Sequence, residues 1–186
     1  MAGEVSQLEE MVAEMREFVR RPPAQKRPGQ ISAALTAVLE LFQDTFADHR
    51  ITVRRVEETP LPAVNFDPKQ VHQVLINLLK NALEAMDQGG EITITSRVKG
   101  ANAEISLADT GEGMPPEVAA QIFQPYFTTK EKGTGLGLAI CQNIMAEHGG
   151  CIFADSTPDR GATFTIQLPL QETSPVDGVT PPRPGT

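Results

Sequence analysis

The hydrophobic positions from residue 31 to 48 recur at the three- and four-residue spacing of a helix that buries one face. Residues 51–56 instead alternate, as in a half-buried strand. Asp67-Pro68 is typical of a helix N-cap followed by proline at the first helical position, and that helix extends to about residue 86. The pattern therefore predicts a helix, a strand and a second helix at the start of the main domain.

The second half of the chain is predicted to contain two strand pairs separated by a long loop and a helix. The predicted elements are strands 91–98 and 103–109 around a turn at 99–102, a Gly/Pro-rich loop over 110–135, a helix over 136–147, and strands 151–155 and 162–168. These strands come as hairpins and not as strand–helix–strand crossovers. The order predicts an α+β two-layer sandwich, with helices on one face of a mixed, mainly antiparallel sheet.

Three segments surround or precede this domain, which we place at residues 31–170. Residues 1–21 contain a heptad-like seam at Val5, Leu8, Val12, Met15 and Val19, which predicts a helix over 4–20. This helix could pair with another helix, for instance in a homodimer, or lie on its own domain. The proline-rich residues 22–30 are predicted to be a linker, and residues 171–186 a disordered tail.

Charge and composition exclude several classes of function. Acidic residues outnumber basic ones by 24 to 16, for a formal net charge of −8, which argues against a nucleic-acid binder and against adhesion to an anionic membrane. There is no signal-peptide pattern and no apolar run approaching the roughly 20 residues that span a bilayer. We interpret Cys141 and Cys151 as buried thiols of a reducing compartment, and expect a cytoplasmic location.

Polar residues that could carry chemistry lie on one face of the helix that starts after Asp67. Asn77, Asn81 and Glu84 are spaced at i, i+4 and i+7, away from the apolar stripe of that helix. An asparagine side-chain oxygen is a hard, neutral ligand that suits Mg²⁺. The same pattern is also compatible with an ordinary solvated helix face.

The segment Asp109–Pro115 places a carboxylate at an inward-facing strand position, followed by Gly111 and Gly113. A buried carboxylate needs hydrogen-bond donors, and the amino group of an adenine ring is one such donor. The glycines would let the backbone pass close to a flat ring. An Asx turn that closes the strand is the alternative interpretation.

A glycine-rich loop, Lys130–Ile140, leads directly into the predicted helix at 136. Free backbone N–H groups and the helix dipole at such a position favour a phosphate group, although simple flexible capping is the alternative. The preceding segment, Ile122–Lys130, combines aromatic residues with a lysine and could cover the site as a mobile lid or simply pack on the core. Together, these four features predict a Mg·ATP site.

The same segments resemble the sequence boxes of sensor histidine kinases, which belong to the GHKL (Bergerat) superfamily. The matching segments are Asn77–Met86 (N box), Asp109–Pro115 (G1 box), Phe123–Lys130 (F box) and Gly133–Ile140 (G2 box), followed by His148–Gly150 and Gly161–Phe164. The resemblance covers about residues 31–170 and is similar to kinases of the nitrogen-regulatory type. It implies the Bergerat ATP-binding fold, with ATP and Mg²⁺ as cofactors.

The resemblance also implies roles for individual residues. Asn81 would bind Mg²⁺, Asp109 would accept from the adenine amino group, and Lys130 would hold phosphate, so that Asn81 and Lys130 are the candidate catalytic residues. The full implied nucleotide-binding set is Asn77, Asn81, Glu84, Asp109, Gly111, Gly113, Met114, Thr129, Lys130, Gly133, Thr134, Gly135, Leu136, Gly137 and Leu138. Residues of about 114–134 would form the ATP lid.

The chain departs from the family pattern because no H box is present: His49, His72 and His148 lack its flanking residues. Residues 1–21 are similar to the end of the second helix of the dimerisation hairpin. The resemblance therefore implies γ-phosphoryl transfer to a histidine on a dimerisation domain, in cis or in trans, and then to a response-regulator receiver domain, without self-labelling of this chain. A serine kinase of the anti-sigma type and a non-catalytic nucleotide-binding module are the alternatives.

Overall fold

The computed structural model describes residues 15–16, 22–130 and 133–170. The predicted N-terminal helix, apart from Met15 and Arg16, and the predicted tail lie outside these residues. The elements in chain order are β1 (Arg27–Gly29), α1 (Ile31–Leu41), α2 (Gln43–Asp48), β2 (Ile51–Glu57), β3 (Val64–Phe66), α3 (Pro68–Glu84), β4 (Gly90–Lys99), β5 (Asn102–Asp109), α4 (Pro116–Ala119), α5 (Gly137–Glu147), β6 (Cys151–Ser156) and β7 (Ala162–Pro169).

The main sheet has five strands in the order β2-β4-β5-β7-β6. β2 pairs parallel to β4, and the other neighbours are antiparallel. This confirms the predicted mixed, mainly antiparallel sheet, with β4–β5 and β6–β7 as hairpins. Since parallel neighbours need a crossover, α3 together with β3 provides the connection from β2 to β4.

Alternation along the strands explains why the helices cover one face. Ile92 and Ile94 on β4 are buried, whereas Thr93 and Thr95, which alternate with them, are partly exposed on the other face. α3 packs against both α1 and α5 above the buried face. This helix layer positions the polar edge of α3 and the first turn of α5 beside the end of β5.

The ends of α3 and α5 follow from local chemistry. The Asp67 carboxylate accepts from the backbone N–H of Lys69 at 2.9 Å, as an N-cap does, and Pro68 occupies the first turn. α5 ends at Glu147, and Gly149 beyond it has a φ of +73°, which suits glycine. None of the helices in the described part of the chain is both long and apolar enough to cross a bilayer.

The helix predicted over 31–48 is interrupted at Phe42, whose ψ of 1° is not helical. The interruption allows Phe46 to be buried in the core and to stack on Phe42, with ring centroids 5.8 Å apart, while Leu41 stays 72% exposed. The hydrophobic positions keep a helical period of 3.6 residues across Phe42, so the pattern predicted one helix where the structure has two.

Residues 22–30, which we predicted to be a linker, lie on the domain surface. β1 pairs antiparallel with β3, and neither short strand was predicted. Upstream of β1, the Gln25 N–H donates to Asp67 Oδ2 at 2.8 Å and the Ala24 N–H donates to Glu147 Oε1 at 2.6 Å. Residues that are remote in sequence provide these partners, which is why the proline content alone suggested an unattached segment.

The prediction that both cysteines are buried is wrong for Cys151. Cys141 is fully buried in α5, but Cys151 is exposed and its Sγ lies 3.5 Å from Gln167 Oε1. Ile152 occupies the inward position of β6, so the alternation turns Cys151 to the open face of the sheet.

Candidate nucleotide-binding site

A cavity of about 290 Å³ lies between α3, the loop that follows β5, the segment before α5, and β7. Its lining combines polar residues of α3 with Asp109 at the end of β5 and with the glycine-rich loop. Pockets of this kind, mainly apolar with a few converging polar groups, are typical of small-molecule sites. The four sequence features that predicted a nucleotide site therefore come together around one cavity.

Asp109 is held in place by backbone donors at the base of the cavity. Its Oδ1 accepts from the N–H of Gly111 at 2.9 Å and from the N–H of Ala162 at 3.2 Å. Within the described part of the chain, these bonds use Oδ1 and leave Oδ2 for a ligand. Burial raises the pKa of Asp109 above its ordinary value, against the lowering effect of the backbone N–H groups of Gly111 and Ala162.

The loop after Asp109 has little room for side chains at its glycines. Gly113 has a φ of +66°, and a Cβ there would overlap the carbonyl oxygen of Thr157. A Cβ at Gly111 would overlap the carbonyl oxygen of Ala85 at the end of α3. The loop is thus compressed between α3 and the β6–β7 turn, which fixes the backbone next to Asp109.

The polar face of α3 forms one wall of the cavity. The Lys130 ammonium donates to Glu84 Oε2 in a short ion pair and lies 3.4 Å from Asn81 Oδ1. Asn77 points to α5 instead, because its Nδ2 donates to the carbonyl oxygen of Gly137 at 3.2 Å. Asn81 and Glu84 therefore present oxygen atoms to a cation, while Asn77 ties the two helices together.

The glycine-rich segment forms the opposite wall. Gly133, Thr134, Gly135 and Gly137 line the cavity. Gly135 has a φ of +69°, and its carbonyl oxygen accepts from the Tyr126 N–H at 2.9 Å. Because Gly137 begins α5, the unpaired N–H groups of its first turn lie beside the cavity and favour an anionic group.

The aromatic segment before Lys130 has two environments. Phe127 lines the cavity, whereas Tyr126 is 60% exposed and has a positive φ of 67°. Phe123 packs against the core from the outside. The segment is thus anchored by Phe123 and Phe127 and presents Tyr126 to solvent.

Most of the sequence-predicted residues lie around the cavity, with two exceptions. Gly111 is not in the lining, because its N–H serves to hold Asp109, and Leu136 is buried in the core at the start of α5. The implied binding set did not name nine further lining residues: Lys80, Ala85, Glu112, Val118, Ile122, Phe127, Thr128, Ala162 and Phe164. Val118, Ile122, Phe127 and Thr128 lie within the lid that the sequence predicted at about residues 114–134. Lys80 could have been predicted as a lining residue, because it lies three residues after Asn77 and four before Glu84 and therefore shares their helix face.

Comparison with known families gives one clear match. The family model described as the histidine kinase-, DNA gyrase B-, and HSP90-like ATPase matches residues 66–172. The matched region begins just before the N-cap of α3 and extends past the end of β7, so it contains the whole cavity.

Similar curated proteins are kinases from bacteria. The sensor histidine kinase ZraS of Escherichia coli K12 is 37% identical over 173 residues, which are 93% of this chain and 37% of that protein. Sporulation kinase C of Bacillus subtilis is 35% identical over 173 residues, or 92% of this chain and 40% of that protein. The chain thus spans well under half the length of these relatives.

Solved structures with the same fold include catalytic domains of histidine kinases. The nucleotide-free catalytic domain of ThkA has a TM-score of 0.70 and 33% identity, covering 78% of this chain and 95% of that one. ThkA in complex with the response regulator protein TrrA has a TM-score of 0.79 and 30% identity over 91% of this chain and 49% of that one. Full-length ShkA, solved with AMPPNP, has a TM-score of 0.79 and 28% identity over 89% of this chain and 36% of that one.

Proposed function

Because the chain belongs to the family of histidine kinase-, DNA gyrase B-, and HSP90-like ATPases and is an ATP-binding catalytic domain of the sensor histidine kinase type, we propose that it positions Mg·ATP for γ-phosphoryl transfer to a histidine. The observation that carries the proposal is the meeting of Asp109, Asn81, Lys130 and the glycine-rich loop around one cavity. The Asp109 carboxylate, which can accept a hydrogen bond from a ligand, lies at one end of the cavity, and groups that can bind a cation or an anion lie at the other.

Asp109 selects the base. Its Oδ2 accepts from the adenine 6-amino group, while Oδ1 stays bonded to the Gly111 and Ala162 N–H groups. Gly113 lets the backbone approach the ring, and Met114 provides an apolar surface in the lining. A purine with a hydrogen-bond acceptor at position 6 would place that acceptor against a carboxylate oxygen, so we expect its nucleotide to bind more weakly than an adenine nucleotide.

The polar face of α3 fits a magnesium ion. Asn81 Oδ1 and the Glu84 carboxylate already attract the Lys130 ammonium, so this position favours a cation. Asn81 would hold Mg²⁺, which when bound neutralises phosphate charge and orients the phosphates. Lys130 would then exchange its carboxylate partner for phosphate oxygens, with backbone N–H groups of the loop from Gly133 to Gly137 as further donors.

Transfer itself would consist of positioning and charge neutralisation. The bond between the γ-phosphorus and the bridging oxygen of ADP breaks, a bond from phosphorus to an imidazole nitrogen forms, and the ring proton passes to a base of the acceptor domain. His148 is unsuited as acceptor, since its Nε2 accepts from the Asp67 N–H at 2.9 Å and its Nδ1 lies 2.8 Å from the Ile144 carbonyl oxygen. The proposed acceptor is therefore a histidine-containing dimerisation domain, with a receiver domain as the next partner and the cytoplasm as the location.

The experiment is to incubate the chain with a separately purified dimerisation domain that carries an acceptor histidine, in the presence of Mg²⁺ and [γ-³²P]ATP. The proposal expects an acid-labile, base-stable label on the acceptor and none on this chain. Asn81→Ala should abolish the label, whereas Asn143→Ala, a substitution at an exposed position of α5, should leave it unchanged. An acid-stable label on a serine, or nucleotide binding without any transfer, would contradict the proposal.

A further inference from the structure

Lys80 lies on the polar face of α3 with the residues that the proposed function uses, but it has no role there. Asn77, Asn81 and Glu84 are three, one and four residues away from it, so all four share about one third of the helix surface. Lys80 is exposed and lines the cavity. Within the described residues its ammonium has neither an ion pair nor a hydrogen bond.

Lys80 changes the net charge at the phosphate end of the cavity, where Glu84, Lys130 and the glycine-rich loop lie. The other lysine of the described lining, Lys130, is paired with Glu84. Those two charges cancel, so among the described residues at this end Lys80 contributes the net positive side-chain charge. Asp109 lies at the opposite end, where its carboxylate is bonded to the Gly111 and Ala162 N–H groups.

The direction of α3 indicates which part of a nucleotide Lys80 faces. The C-terminal end of α3 contacts the Asp109 loop, since the Ala85 carbonyl oxygen accepts from the Glu112 N–H at 3.2 Å. Toward the N-terminal end, Asn77 contacts Gly137 at the start of α5. Side chains of a helix lean toward its N-terminus, so the long Lys80 side chain extends away from the base end.

We propose that Lys80 is a second phosphate-binding cation, directed at the terminal phosphate, and that it makes the cavity prefer ATP over ADP. This inference rests on the proposed function, since it requires the base to lie at Asp109. Lys80 adds a second positive charge to the one that Lys130 supplies once it exchanges Glu84 for phosphate oxygens. Each additional phosphate on the ligand therefore strengthens the contribution of Lys80.

The test is calorimetric titration of the chain with AMPPNP, ADP and AMP in the presence of Mg²⁺. Lys80→Gln should weaken AMPPNP binding by about fivefold to tenfold, the size of one partly exposed charge-assisted hydrogen bond, with a smaller effect on ADP and none on AMP. Lys80→Arg should keep most of the affinity. The matched control is Lys69→Gln, because Lys69 is an exposed lysine in the first turn of the same helix, outside the cavity lining, and its loss changes the net charge equally.

The outcomes separate this inference from the proposed function. If the unaltered chain binds AMPPNP but Lys80→Gln binds it equally well, or if Lys69→Gln loses as much affinity, the assignment of Lys80 is wrong and the proposed function stands. Equal losses for AMPPNP and AMP would also overturn it, since they would place Lys80 at the base or ribose. If the unaltered chain binds none of the three nucleotides, both proposals fail.

Discussion

Replacement of Asp109 by asparagine changes one atom of the cavity and should invert its base preference. In Asp109→Asn the amide oxygen can keep the bonds of Oδ1, because the N–H groups of Gly111 at 2.9 Å and Ala162 at 3.2 Å need an oxygen. The amide nitrogen must then take the place of Oδ2. The 6-amino group of adenine would face a second donor in place of an acceptor.

The magnitude follows from the loss of one hydrogen bond to a charged group, about 1.5–3 kcal/mol. That range corresponds to a loss of about 10- to 150-fold in the affinity for ADP. Inosine diphosphate has an acceptor oxygen at position 6, so the same variant should bind it better than it binds ADP. The fold should survive, because burial already raises the pKa of Asp109 and makes its negative charge costly in the absence of a ligand.

The assay is calorimetric titration of both proteins with ADP and with inosine diphosphate, with thermal unfolding as the check on folding. Reversal of the preference in Asp109→Asn would support the assigned adenine contact. An equal loss for both diphosphates would show that Asp109 supports the loop without reading the base. Unchanged ADP affinity would refute the contact outright.

Three further predictions concern the folded domain and its dependence on pH. Burial alone would raise the pKa of Asp67, but the backbone N–H groups that donate to its carboxylate lower the pKa below the ordinary value of 3.8. The stability that Asp67 contributes should therefore be present above pH 3.8 and be lost as the pH falls below it. In urea unfolding, the difference in stability between the unaltered chain and Asp67→Asn should shrink in that range, and a constant difference would contradict this. Burial raises the pKa of Asp109 above the ordinary value of 3.8, so the free-energy cost of its buried charge should grow as the pH rises above that value. Asp109→Asn should therefore gain stability relative to the unaltered chain toward neutral pH. The absence of such a gain in parallel urea titrations would contradict this prediction. Gly113→Ala should cost at least about 1–2 kcal/mol of folding stability from the positive φ alone and more from overlap with Thr157, and unfolding equal to that of the unaltered chain would show that this loop is not compressed.

Local patterns predicted those parts of the site that lie within one element. The spacing of Asn77, Asn81 and Glu84 placed them on one face of α3, and strand alternation turned Asp109 inward, where the structure has it. The same alternation, applied to β6, would have placed Cys151 on the open face. These features depend on the period of a helix or strand, which the sequence carries directly.

The features that were missed depend on residues far apart in the chain. β1 pairs with β3 across more than thirty residues, and Lys130 meets Glu84 across 46. The Ala162 N–H that holds Asp109 comes from a strand 53 residues away. No local pattern encodes such partners, because they arise only when the sheet and the helix layer are assembled.

The most direct test of the account is a crystal structure of the chain with AMPPNP and Mg²⁺. The account predicts the adenine amino group within hydrogen-bond distance of Asp109 Oδ2, the metal on Asn81 Oδ1, and Lys130 released from Glu84 onto phosphate. A nucleotide bound outside this cavity, or bound in it with the Lys130–Glu84 pair intact and no metal at Asn81, would contradict it.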